Sequence, residues 1–133
     1  MKEDSNSETV SKPNGTGITR LFKAFRCSIL GFKAAFKYEA AFRQELLLCS
    51  ILLPTSFFVA TSLVEWLLLV GSLLFLLFAE IINSAIEALA DQISLAHHEL
   101  IGRAKDLGSA AVFIAMLLVM IVWASILIQV FLR

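Results

Sequence analysis

The chain is short of charge. Only 17% of its 133 residues are Asp, Glu, Lys or Arg, against roughly 25% in an ordinary soluble domain, while 59% are hydrophobic and the mean hydropathy is +0.84. That balance excludes a typical soluble globule. There is no excess of either sign: eleven Lys and Arg cancel eleven Asp and Glu, so the totals give no footing for nucleic acid or a strongly acidic partner. Cysteine is scarce as well. Cys27, beside basic residues, and Cys49, inside an apolar run, have neither the number nor the spacing of a zinc site or disulfide framework, and both read as reduced and structural. Nucleotide and hydrolase signatures are missing: no GxxxxGKS/T, VAIK, HRD, DFG, GxSxG or HExxH. Gly102 and Gly108 do not make a phosphate-cradling glycine loop.

What is present is an uneven distribution. Residues 1–45 hold eight Lys and Arg against five Asp and Glu, and residues 46–133 hold three against six, so basic charge precedes an apolar body. The polar stretch 1–16 has no apolar core like that of a signal peptide and is expected to be a disordered cytosolic tail, leaving 17–133 as one membrane domain. From Leu46 to Ala79 the only charged residue is Glu65, and about 34 residues are too many for one crossing of ~20. Split at 61–65, the run becomes two crossings, about 46–64 and 66–88, with a kink expected at Pro54. A third uncharged run of about 24 residues predicts a crossing at about 109–132. Lys and Arg precede the first crossing and lie between the second and third, but are absent around Glu65. The N-terminus and the 88–108 loop are therefore expected in the cytosol. Three crossings enclose no cavity by themselves, so oligomerisation is expected.

The second crossing carries acids. Only about 14 uncharged residues follow Glu65, fewer than a bilayer requires, so the helix has to continue through EIINSAIEALAD. At about 100° per residue, Glu80, Asn83, Glu87 and Asp91 share an arc of about 80°. An ionised carboxylate near mid-bilayer costs on the order of 3 kcal/mol. Asp91 alone reads as a headgroup-level acid; Glu80 and Glu87 together read as a site.

Upstream, the spacing predicts an amphipathic surface helix over about 18–45. Lys23, Arg26, Lys33 and Lys37 gather on one side, with Leu21, Phe25, Ile29, Phe32, Phe36 and Phe42 on the other. Glu39 and Arg43 fall within the apolar arc. Either they pair at i, i+4, or Glu39 faces the acid stripe and the gathered carboxylates share a cation such as Mg²⁺, which takes one or two carboxylates plus phosphate oxygens. Beyond the stripe, the adjacent His97 and His98 are a weak metal signal, and Arg103 and Lys105 serve either as topological anchors or as a basic lip for polyphosphate.

The segments GITRLFKAF, EAAFRQE (39–45), EIINSAIEALAD (80–91) and HELIGRAKDLGSAAV (98–112) closely resemble the bacterial integral-membrane diacylglycerol kinase family, from about Gly17 to the C-terminus. The resemblance implies an all-α integral membrane protein, a homotrimer of protomers with three transmembrane helices and an N-terminal amphipathic surface helix. It further implies phosphorylation of diacylglycerol by MgATP to phosphatidic acid in the bacterial inner membrane. Carried over residue by residue, it makes Glu80 the base that takes the lipid hydroxyl proton, with Asn83 in support. Glu39 and Glu87 would hold the metal and ATP, and Arg20, His98, Lys105 and Asp106 would contact the nucleotide. Lipid contacts would fall at Lys33, Arg43, Glu45, Glu80 and Ser109. The family's aromatic residues around the surface-helix Ser are replaced here by Cys27 and Ile29, which removes an aromatic ATP contact and an interfacial tryptophan. A sister branch phosphorylates undecaprenol, and EAAFRQE with GRAKDLGSAAV is more similar to the diacylglycerol branch. The alternative from another class is a non-catalytic proton or cation conductor, or an assembly subunit, with acids lining an oligomer axis.

Overall fold

A computed structural model describes residues 17–93 and 98–132, which form four α-helices and no strand. These are α1 (Ile18–Tyr38), α2 (Ala40–Val59), α3 (Leu63–Ile93) and α4 (Glu99–Phe131). The 1–16 tail, His97 and Arg133 lie outside the described residues. The chain divides within α1 into two compact units, one ending at Lys33 and one beginning at Ala34.

In the first unit, Gly17 enters α1 at φ +64°, a left-handed conformation that glycine adopts without steric cost. Along the helix Ile18, Leu21, Phe22, Phe25, Ile29 and Phe32 are all exposed.

The second unit departs from the expected single helix over 18–45. The helix stops at Glu39, whose backbone is extended (φ −101°, ψ 114°). Arg43 Nη1 donates to the carbonyls of Phe36 at 3.0 Å and Lys37 at 3.3 Å. Those carbonyls belong to the last turn of α1, which has no following turn to donate to it, and a cation at that end also meets the negative end of the helix dipole. Arg43 thus caps α1 rather than pairing with Glu39. EAAFRQE passes to α2, whose buried residues Phe42, Glu45, Cys49 and Ser56 recur at helical spacing on one face.

α2 continues through Pro54, which has no N–H to offer the carbonyl of Ser50. Nearby, Thr55 Oγ1 donates to Ile51 O at 2.8 Å and Ser56 Oγ to Leu53 O at 2.6 Å. At the turn into α3, Ser62 Oγ accepts from the Glu65 N–H at 3.2 Å, and Glu65 Oε2 accepts from Thr61 N at 2.7 Å and Thr61 Oγ1 at 2.8 Å. This is a variant of the capping box, and it accounts for the one charge in the 46–79 run. Phe57 and Trp66 close the turn, with ring centroids 5.4 Å apart.

α3 packs against both neighbours, most extensively against α4. Its stripe of Leu69, Leu73, Leu76 and Ala79 meets Ala115, Val119, Trp123 and Ile126 of α4, with Cys49 of α2 alongside. The expected loop at 88–108 is largely helix: α3 runs on to Ile93 and α4 begins at Glu99. Positions 99–108 contain no proline, and Glu99 at the first turn favours helix initiation through the dipole. Three helices, α2, α3 and α4, are long and apolar enough to cross a membrane. Their outward faces expose large apolar side chains such as Phe58, Phe78 and Phe113, as a lipid-facing surface requires.

Candidate functional site

The buried stripe of α3 changes character along its length. After Leu69, Leu73 and Leu76, the same heptad-like spacing continues with Glu80, Asn83 and Glu87. Glu80 lies ~26 Å along the axis from Leu63, within a ~30 Å hydrocarbon thickness, and Glu87 lies ~10 Å further on. Glu80 is 3% exposed and Asn83 9%, while Glu87 is half-buried. From α2, Glu45 at 7% exposure lies within electrostatic reach of Glu80. Glu80 in turn is within reach of Glu87 and of Glu39 at the α1–α2 break. The break matters for this assembly, since it removes Glu39 from the regular face of a helix.

One hydrogen bond organises the polar stripe: Asn83 Nδ2 donates to Glu87 Oε1 at 3.1 Å. Among the described residues, Asn83 Oδ1, Glu45 Oε2 and Ser84 Oγ are buried without hydrogen-bond partners. Such atoms are costly in a packed interior and are expected where a ligand completes a site. Among the described residues there is no cluster of three His, Cys, Asp or Glu side chains placed to hold a metal by themselves. The donors present are all oxygens, and an open set of one or two carboxylates fits Mg²⁺, which keeps water and phosphate oxygens in its shell.

Lys105 of α4 reaches across to Asp91 of α3, Nζ to Oδ1 2.9 Å, with both side chains partly exposed. Asp91 is therefore tied to a cation rather than only solvated. His98 is exposed and immediately precedes α4. Asp106 and Ser109 are exposed on α4, and Ser109 Oγ donates to the Lys105 carbonyl at 3.2 Å. Arg20 and Lys33 are exposed on the first unit. The second unit thus brings together Glu39, Glu45, Glu80, Asn83 and Glu87, with Lys105 held by Asp91, and leaves His98, Asp106 and Ser109 facing outward.

Two features escaped sequence reasoning. Glu45, implied by the resemblance only as a lipid contact, lies within reach of the acid stripe, a placement hidden by starting the first crossing at residue 46; the 3–4 spacing of Phe42, Glu45 and Cys49 carries the signal. Gly108 is buried on α4 against Asn83 and Ile86, and no local pattern distinguishes it from Gly102.

The family model described as prokaryotic diacylglycerol kinase matches residues 26–127. The chain belongs to the prokaryotic diacylglycerol kinase family. Relatives named diacylglycerol kinase include one from Haemophilus influenzae, 47% identical over 112 residues that cover 84% of this chain and 95% of the relative. Another, from Pseudomonas aeruginosa, is 46% identical over 112 residues, covering 84% and 91%. One from Escherichia coli K12 is 43% identical over 114 residues, covering 86% and 93%. The span matched by the diacylglycerol kinase family model contains the whole acid stripe, Glu39 and Glu45, whereas Arg20 lies before it.

Proposed function

We propose that this chain is an ATP-dependent diacylglycerol kinase that forms phosphatidic acid at the cytosolic face of the bacterial inner membrane, working as a homotrimer. The observation that carries the reading is the buried Glu80, placed where the apolar core of α3 ends and within electrostatic reach of Glu45, Glu87 and Glu39, in a chain of this family. A carboxylate in that position can accept a proton from a lipid hydroxyl at the edge of the hydrocarbon. As the proton passes to Glu80, the lipid oxygen bonds to the γ-phosphorus, the bond from that phosphorus to the β–γ bridging oxygen breaks, and ADP leaves. Phosphoryl transfer asks the protein mainly for positioning and charge neutralisation.

Glu39 and Glu87 would hold Mg²⁺, with Asn83 orienting Glu87 through its amide. Mg²⁺, when bound, neutralises the phosphate oxygens. Lys105, Asp106, His98 and Arg20 would serve the nucleotide. On the lipid side, a groove of about 360 Å³ between α3 and α4, lined by Phe75, Phe78, Ile82, Leu107 and Ala111 and touching Asn83, suits an apolar chain. Lys33, Arg43, Glu45 and Ser109 would serve the headgroup. The basic residues and exposed aromatics of α1 suit a helix lying in the membrane surface, lysines toward anionic lipid.

The test is direct. Purified protein in mixed micelles, given MgATP and either diacylglycerol or undecaprenol, is expected to transfer radiolabelled γ-phosphate to diacylglycerol. Transfer to undecaprenol alone would reassign the substrate. Ion flux in vesicles with no transfer to either lipid would favour a conductor.

A further inference from the structure

Glycine inside a helix destabilises it relative to alanine, so a buried helical glycine calls for a reason. Gly17, Gly31, Gly71 and Gly102 would each carry a Cβ into open space. Gly108 is different: a Cβ there would strike the Asn83 side-chain oxygen, with Asn83 Cγ at 3.4 Å and Ile86 Cδ1 at 3.6 Å. The slot at Gly108 accommodates one end of one amide. That amide is 9% exposed, its oxygen has no hydrogen-bond partner among the described residues, and its other end donates to Glu87 Oε1 at 3.1 Å. With the carbonyl seated at Gly108, the NH₂ end is directed along α3 to Glu87. A side chain at 108 has to turn or displace the carbonyl end of that amide, and it is the amide's orientation that aims its NH₂ end at Glu87.

We infer that Gly108 is a positioning residue of the acid site, setting the orientation of the Glu87 carboxylate through Asn83. The bond ties one carboxylate oxygen and so fixes the direction of the other. The consequence for the reaction rests on the proposed role of Glu87 toward the cation and nucleotide; the coupling between Gly108 and Asn83 does not.

A double-mutant cycle tests it, with the full chain in micelles carrying Gly108→Ala, Asn83→Ala, both, or the control Gly102→Ala. Gly108→Ala is expected to raise the Mg²⁺ concentration for half-maximal rate about tenfold, as loss of one charge-assisted hydrogen bond implies. Asn83→Ala is expected to do the same, and the double variant to be no worse than Asn83→Ala alone, since contacting residues that act as a unit are non-additive. Gly102→Ala is expected to behave as wild type. Multiplicative effects in the double variant, or an unchanged Mg²⁺ dependence in Gly108→Ala, would overturn the inference. If Gly108→Ala does not fold, clearing the slot with Asn83→Ala should restore folding; failure to do so also overturns it. Should the wild-type chain phosphorylate no lipid, the proposed function fails, and the same cycle read as Tm still decides the coupling: non-additive shifts support it and additive shifts overturn it.

Discussion

Glu80 is the residue whose substitution separates chemistry from binding. Glu80→Gln keeps the shape and polarity of the side chain but cannot accept a proton at neutral pH, so kcat is expected to fall by about 10²- to 10⁴-fold, with binding of a non-hydrolysable MgATP analogue nearly unchanged. Unchanged turnover would move the base elsewhere, with Asp106 the next candidate. Glu87→Gln, by contrast, weakens a ligand of the cation. Its first effect is expected to be a rise in the Mg²⁺ concentration needed for half-maximal rate, on the order of tenfold for one lost charged contact, checked by Mg²⁺ titration of the initial rate. Glu80 and Glu87 could be singled out in the sequence because bilayer length forces them into a helix that still has to span. Glu45 could not be. It is buried on the face of α2, which begins after the break at Glu39, and an extended residue between two helix-forming stretches leaves little trace in composition.

At the scale of elements, the three long apolar helices were legible as apolar runs, whereas their ends nearest the acid stripe were not. Length and hydropathy mark the lipid-facing part of a helix, but α2, α3 and α4 each extend past it into polar sequence at Ala40, Ile93 and Glu99. These extensions hold Glu45, Asp91 and Lys105, which hydropathy alone assigns to loops or interfaces. The opposite end is simpler. Glu65 accepts from Thr61 and Ser62 accepts from Glu65 at the α2–α3 turn, remote along α3 from the acid stripe. Glu65→Ala is expected to lower stability by about 1 kcal/mol, a typical capping contribution, measured as a reduced Tm with kcat retained. A loss of activity larger than the loss of folded protein would place Glu65 in the function itself.

At the scale of the whole molecule, a small core and a broad set of exposed apolar side chains suit a chain surrounded by lipid. The proposed homotrimer predicts that cross-linking of protein in native-like vesicles stops at three chains, independent of dilution into fresh lipid; a ladder ending at one or two would refute it. Sequence alone determined three apolar runs long enough to cross a membrane, the acid stripe of α3 and, through the resemblance of its segments, the family, because each is written in local runs, periodicities and motifs. Only the tertiary structure decided that Arg43 caps α1, that Glu45 joins Glu80, that Asp91 holds Lys105 and that Gly108 seats Asn83. Those are contacts between side chains brought together by a helix break or by the packing of helices, and local periodicity cannot specify which residue meets which across such an interface.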